Sequence, residues 1–200
     1  MANPTGGPSP IDAGSMGEGF FTEASKKFMH DSAAFGMSSH QKKLADVDPT
    51  AYDAIYLSGG HGTCTDFVDN PALKAAIEKC LAGGKVVAAD CHGPIALAQC
   101  VKPDGTPLVA GMCVTGFNNS EEAAVQQTGN VPFLIETKFT ELGAKYEKGD
   151  DCEHTPAAEN SMATPHERPR LAEPPAPPPS KRLLCLARVL RVPPPSSACS

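Results

Sequence analysis

The sequence predicts a doubly wound α/β fold, with a mostly parallel sheet and helices on both of its faces. Two short apolar runs, residues 53–57 (DAIYL) and 85–89 (KVVAA), each end at a turn rich in glycine, as buried parallel strands do. A helical segment, residues 70–81 (NPALKAAIEKCL), lies between them. Strand, helix and strand in this order predict a right-handed crossover between neighbouring parallel strands.

The remaining elements follow from cap residues and helix breakers. Residues 1–19 are rich in glycine and proline and are predicted to be loop-like. Residues 20–29 have helical spacing with Thr22 as a cap, and the helix over 70–81 begins at the cap residue Asn70 and stops at two glycines. Downstream, the patterns predict a helix over 95–100, a strand beginning at 114–115, and helices over 120–127 and 131–142.

The composition divides the chain after Asp151. All 18 glycines and all 11 aromatic residues lie before this point, whereas 11 of the 20 prolines follow it. A proline-rich segment without aromatics cannot bury enough apolar area to offset its ordering entropy. We therefore predict a partial α/β domain over 1–151 and a disordered tail over 152–200, whose removal should leave thermal stability unchanged. Within the tail, residues 181–192 (KRLLCLARVLRV) have the pattern of a short basic amphipathic helix.

Charge and hydropathy argue against several classes of partner. A net charge of -6 offers no phosphate-neutralising surface, which argues against nucleic acid. No apolar run has the length of a membrane span, and the N-terminus lacks the basic and apolar regions of a secretory signal. We therefore expect a cytoplasmic protein whose eight cysteines are free thiols. Because the sequence has no C-x-x-C pair, we expect no metal site.

Two glycine-containing turns, SGGHG and CHGP, carry the candidate chemistry, because doubly wound sheets bind their ligands at the carboxyl ends of strands. Cys91 lies at a strand-to-helix turn, where its sulfur is accessible and the helix N-terminus favours the thiolate. His92 is the candidate base, and Glu122 is the carboxylate we expect to orient its imidazole. The residues expected to line an oxyanion or substrate-binding site are Gly60, His61 and Gly93.

Each of these assignments has a structural alternative. For Cys91 the alternative is a small buried hydrophobe that precedes a helix, which the His-Gly-Pro that follows it argues against, whereas His61 is equally a solvated loop histidine. Glu122 lies in a first helical turn, where an acid is favoured by the helix dipole alone. Asp90 places a carboxylate directly before the nucleophile, and a nearby negative charge raises the pKa of a thiol. The directions of these side chains decide between the alternatives.

Five segments of the sequence together resemble one protein family. They are YDAIYLSGGHGT, GKVVAADCHGPIAL, DGTPLVAG, VTGFNNSEE and VPFLIETKFTELGAKYEK, in this order. They resemble the DJ-1/PfpI superfamily, which is class I glutamine amidotransferase-like, and within it the glyoxalase III branch, also called D-lactate dehydratases or heat-shock-protein-31-type chaperones. The resemblance implies a flavodoxin-like sheet. It matches Cys91, His92 and Glu122 to the nucleophile, the adjacent histidine and the acid of a triad.

The sequence also departs from the pattern of the family that it resembles. Family members begin with a strand, a helix that carries a catalytic glutamate and a second strand, and neither Glu18 nor Glu23 matches that glutamate. After residue 151 they continue into a strand hairpin and a final helix. Asp90 replaces a residue that is usually apolar. These departures imply a chain truncated at both ends, without the first and last strands and with impaired activity.

The activity implied by the resemblance is that of a lyase, the glutathione-independent conversion of methylglyoxal to D-lactate. The Cys91 thiolate would add to this small aldehyde, or to glyoxal, without any cofactor. One alternative is a non-catalytic protein, either a chaperone-like binder of unfolded proteins or a thiol redox sensor that uses Cys91. A further alternative is an amidotransferase-type hydrolase, although no His-x-Glu pair occurs in the sequence. The sequence does not decide whether the chain forms a homodimer.

Overall fold

A computed structural model describes residues 1–17 and 21–148, and the backbone of one strand in the tail. Five parallel strands form the main sheet in the order β2-β1-β7-β3-β4. They are β1 (Ala2–Asn3), β2 (Lys42–Lys43), β3 (Ala54–Leu57), β4 (Val86–Ala89) and β7 (Leu183–Leu186). A second parallel pair consists of β5 (Cys113–Val114) and β6 (Lys145–Tyr146). The predicted α/β class with parallel strands is confirmed.

The helices follow the cap residues expected from the sequence. The Thr22 side chain accepts the N–H of Ser25, and the Asn70 side chain accepts the N–H of Leu73. The α-helices are α1 (Glu23–His30), α2 (Ser32–Ser39), α3 (Thr63–Asp66), α4 (Pro71–Ala82), α5 (Asn119–Ala124) and α6 (Ile135–Glu141). The helix predicted over 95–100 is the 3-10 helix Gly93–Gln99. Within the described residues, no helix combines the length and the apolar character needed to cross a membrane.

The crossover from β3 through α4 to β4 forms as the sequence predicts. Ala54 pairs with Val86, and Leu57 at the other end of β3 pairs with Ala89. Ile77 of α4 is fully buried against this part of the sheet, and α4 contacts both strands. Because the two strands are parallel and in register, their carboxyl ends lie side by side, and the residues that follow them meet at one edge.

The N-terminal segment contains structure where a loop was predicted. β1 pairs on one side with β2, where Ala2 lies opposite Lys42, and on the other with β7, where Ala2 lies opposite Leu186. Ala2 and Asn3 are both buried. The prediction that residues 1–19 are loop-like is therefore wrong for β1. A two-residue strand has no periodicity for the sequence to display, and its position depends on distant partners.

The tail contributes the central strand of the sheet, in place of the predicted helix. β7 pairs with β3 along its whole length, from Ala54 opposite Leu183 to Leu57 opposite Leu186. Four consecutive apolar residues are typical of a central parallel strand, and a run this short does not distinguish helix from strand by period. The helix predicted over 181–192 is therefore wrong for these four residues. The rest of the tail lies outside the described residues, so its predicted disorder stays a prediction.

Candidate active site

Cys91 lies on a sharp turn directly after β4. Its φ angle is +51°, in the left-handed region that residues other than glycine rarely adopt. A strained turn between a strand and a helix holds a nucleophile clear of the sheet, and the surrounding structure must maintain the strain. Cys91 is partly exposed, whereas the 3-10 helix that follows the turn is buried along most of its length. The structure therefore favours an accessible thiol over a buried small hydrophobe.

A chain of hydrogen bonds joins the three predicted triad residues. His92 Nδ1 lies 3.4 Å from Cys91 Sγ, and His92 Nε2 lies 2.7 Å from Glu122 Oε2. Since an ionised carboxylate only accepts hydrogen bonds, the Nε2–H donates to Glu122. The lone pair of Nδ1 then faces the sulfur, which is the tautomer that can take the thiol proton.

A second imidazole shares the same carboxylate. His61 Nε2–H donates to Glu122 Oε1 over 2.7 Å, so both oxygens of Glu122 accept an imidazole N–H. The two rings lie with their centroids 4.0 Å apart, and the Phe117 ring contacts both of them, at 4.3 Å from His92 and 5.8 Å from His61. His92 is 1% exposed and Glu122 is 3% exposed. The His92 ring is therefore held by stacking and by a buried hydrogen bond, and His61 is a site residue rather than a solvated histidine.

Two adjacent glutamates in α5 have different partners. Asn118 caps the helix, and Glu121 completes a capping box by accepting the backbone N–H of Asn118. Glu122 takes no part in this cap, and its carboxylate points inward to the imidazoles of His61 and His92. The alternative that Glu122 only stabilises the helix N-terminus is therefore not supported, because Glu121 already fills that position.

Asp90 joins the two glycine-containing turns. Its Oδ1 accepts the backbone N–H of Gly59 over 2.9 Å, so the carboxylate is directed at the turn that follows β3. Gly59 has no room for a side chain, because an added Cβ would lie 2.6 Å from Cys91 Cβ. Asp90 thus forms a structural link between the turns.

Gly60 and Gly93, both predicted for oxyanion or substrate binding, lie at different points of the site. Gly60 is buried beside His61 and has a φ of +99°, a conformation that glycine adopts without strain. The N–H of Gly93 donates to Asp90 O over 2.7 Å, and an added Cβ would lie 2.2 Å from Leu57 O. Gly93 therefore allows the turn to pack against β3, and Gly60 stays the predicted oxyanion donor.

The other described thiols are in environments that disfavour the thiolate. Burial raises the pKa of Cys64 to about 12, with smaller contributions from the charges of Glu122 and Cys91. Burial also raises the pKa of Cys100 to about 12. Sequence reasoning missed that Cys64 lies close to the triad, although its position three residues after His61 in the SGGHGTC segment was the available signal. Phe117, from the TGFNN segment, was missed in the same way.

Comparison with known proteins is consistent with this geometry. A family model described as the DJ-1/PfpI family matches residues 27–127. The probable glutathione-independent glyoxalase hsp3104 of Schizosaccharomyces pombe is 34% identical over 108 residues, which are 54% of this chain and 47% of the relative. Glyoxalase 3 of Candida albicans is 38% identical over 82 residues, which are 40% of this chain and 35% of the relative. The chain thus spans about half or less of these relatives.

A solved structure also resembles this fold. The Rapid Encystment Protein 24 kDa of Francisella tularensis matches with a TM-score of 0.68 and 34% identity, over 74% of this chain and 65% of the other. The family match covers the crossover, both glycine-containing turns and α5, and so includes all the predicted triad residues. Because that match extends over half of the sequence, the chain belongs to the DJ-1/PfpI family.

Proposed function

We propose that this chain is a glutathione-independent glyoxalase that converts methylglyoxal to D-lactate with Cys91 as its nucleophile. The observation that carries the proposal is the hydrogen-bonded series from Cys91 through His92 to Glu122 at the carboxyl end of β4. Relatives named as glutathione-independent glyoxalases support the substrate class, a small reactive aldehyde. The chain matches only part of each of these relatives, so the complete activity belongs to the proposal.

The first step uses the tautomer of His92. The Cys91 thiol gives its proton to Nδ1, and the thiolate adds to the aldehyde carbon to form a hemithioacetal. Glu122 stabilises the imidazolium that results, because its carboxylate accepts the Nε2–H from a buried position. The backbone of Gly60 is the proposed donor to the oxygen that becomes negative.

The second step moves a proton between the two carbons. The aldehyde carbon loses its hydrogen as a proton, and the ketone carbon gains one, so one carbon is oxidised as the other is reduced. This leaves a thioester on Cys91, which water hydrolyses to lactate and the free thiol. His92 is the imidazole beside Cys91 and already serves the sulfur, and His61 lies one ring further away, against His92. We therefore expect slow turnover.

The test is D-lactate formation from methylglyoxal by the purified chain without glutathione. Cys91→Ser should lower the rate by at least about 1000-fold, since the covalent step requires the sulfur. Cys113→Ser is the matched control, because Cys113 is a partly exposed thiol on β5. No lactate from the folded chain, or equal rates for both variants, would refute the proposal.

The same experiment separates the alternatives. A thiol redox sensor would form a sulfenic acid on Cys91 under peroxide but produce no lactate. An amidotransferase-type hydrolase would release ammonia from glutamine. The glyoxalase assignment requires lactate from methylglyoxal and no ammonia from glutamine.

A further inference from the structure

The two histidines and the glutamate at the site form a set of metal-ligand types. One ligand atom each from His61, His92 and Glu122 lies within 4.8 Å of the other two. Two imidazole nitrogens and one carboxylate oxygen are a donor set that catalytic and inhibitory zinc sites use, with the fourth position open. The first step of the proposed reaction needs only His92 on the carboxylate, so His61 is a second imidazole on Glu122 that this step does not use.

The charge of the cluster favours a cation. Glu122 is 3% exposed, and its ion-pair partners in the described part of the chain are imidazoles rather than lysine or arginine. A buried carboxylate is stabilised when a divalent cation takes the place of the two Nε2 protons beside it, which move to the other nitrogen of each ring. Asp90 is a second acid on the adjacent turn, linked to Gly59.

A tetrahedral site requires the ligand atoms to move from their present positions. Each imidazole Nε2 is 2.7 Å from a carboxylate oxygen, whereas bonds of about 2.0 Å to zinc place ligand atoms roughly 3.3 Å apart. The two imidazoles must therefore move away from the carboxylate oxygens before a metal fits between them. His61 can make this movement, because its side chain is 20% exposed and lies in the turn between Gly60 and Gly62. His92 is 1% exposed and contacts the Phe117 ring, so it supplies the fixed part of the site.

We infer that His61, His92 and Glu122 form a Zn²⁺ site, and that a metal bound there inhibits the proposed glyoxalase reaction. Coordination uses the lone pair of His92 Nε2, so the ring proton must move to Nδ1. A ring protonated at Nδ1 and coordinated at Nε2 has no lone pair for the Cys91 thiol proton. The inhibitory part of this inference rests on the proposed function, whereas the binding part does not.

The binding test is competition for Zn²⁺ between the chain and a chromophoric chelator, in a buffer without thiols. The native chain should bind one equivalent, and His61→Asn should bind at least about tenfold more weakly, because even the loss of an outer-shell partner costs about that much. His30→Asn is the matched control, since His30 is an exposed histidine at the end of α1. Glu122→Gln should weaken binding in the same way, with circular dichroism to verify its fold.

Cobalt distinguishes this ligand set from a thiolate site. Co²⁺ bound to the native chain should give visible bands of tetrahedral coordination without a sulfur-to-cobalt charge-transfer band. Cys91→Ser should retain the bound equivalent. Equal zinc affinity of the native chain and His61→Asn, or loss of the metal in Cys91→Ser, would overturn the inference.

Activity provides the second readout. Lactate formation should fall in proportion to zinc occupancy and return when a chelator removes the metal. Zinc binding without any lactate formation would refute the proposed function and leave the metal site intact. Lactate formation that continues with the site fully occupied would overturn the inhibitory part of the inference.

Discussion

The two neighbours of β3 come from different distances along the chain. On one side β4 follows within a single crossover, and Ala54 pairs with Val86. On the other side β7 comes from the tail, and Ala54 pairs with Leu183. The side built from nearby residues carries the candidate site, and the side built from distant residues joins β3 to β1. The chemistry is thus encoded locally, whereas the continuity of the sheet depends on a pairing whose loop-closure cost is larger.

The largest expected effect comes from disrupting the pairing between β3 and β7. Replacing Leu184 and Cys185 together with proline removes two consecutive N–H groups, which point to opposite neighbours in a strand. Leaving two buried acceptors without donors costs about 2–6 kcal/mol, a large part of the stability of a typical domain. We expect the cooperative thermal transition measured by circular dichroism to be lost.

The matched control replaces the same two residues, Leu184 and Cys185, with valine, which keeps the N–H groups and favours strands. This variant should melt as the native chain does. A native-like melt of the proline variant would show that β7 is dispensable and would support the prediction that the tail can be removed.

The contact between the turn after β4 and the end of β3 can be tested at Gly93. Gly93→Ala brings a methyl group to within 2.2 Å of Leu57 O, so the turn must move away from β3. We expect a loss of about 3 kcal/mol in the free energy of unfolding by urea. Gly36→Ala is the control, because its Cβ meets nothing within 4 Å in the interior of α2, and it should stabilise by about 0.5–1 kcal/mol. Equal midpoints for the two variants would contradict the close approach.

The adjacent glutamates of α5 separate chemistry from folding. Glu122→Gln removes the charge that stabilises the protonated His92 ring, so we expect lactate formation to fall about 100-fold. Glu121→Gln retains a residue that capping boxes accept, so its rate should be close to that of the native chain. Thermal melts of both variants provide the folding control. Equal loss of rate in the two variants would mean that Glu122 has no role beyond helix stability.

The smallest effect is an order of thiol reactivity. With limiting iodoacetamide at pH 8, mass spectrometry should find Cys91 labelled first and Cys64 and Cys100 last among the described thiols. Burial raises the pKa of Cys64 and Cys100 to about 12, so at pH 8 nearly all of each remains protonated. Their labelling rates should rise about tenfold per pH unit towards pH 12 while the fold persists. Faster labelling of Cys64 than of Cys91 would contradict the accessible turn.

The crossover and its turns were predictable because their signals are local. The apolar runs of β3 and β4, the Asn70 cap and the glycines after each strand lie within about fifty residues and have standard periods or turn chemistry. The position of the site followed from a general rule on the carboxyl ends of parallel strands. Glu122 was expected to orient His92, but the sequence left open a purely helix-stabilising role, and only its direction in the structure separated it from Glu121.

By itself, the sequence determined the α/β class, the strand-helix-strand unit and the identity of the candidate nucleophile and its adjacent histidine. The tertiary structure alone decided that His61 shares the carboxylate of Glu122, because His61 lies in the turn after β3, Glu122 lies in α5, and their meeting depends on how α5 packs. It also decided that Leu183–Leu186 form the central strand of the sheet. A four-residue apolar run has no period that distinguishes helix from strand, so its partners determine its conformation.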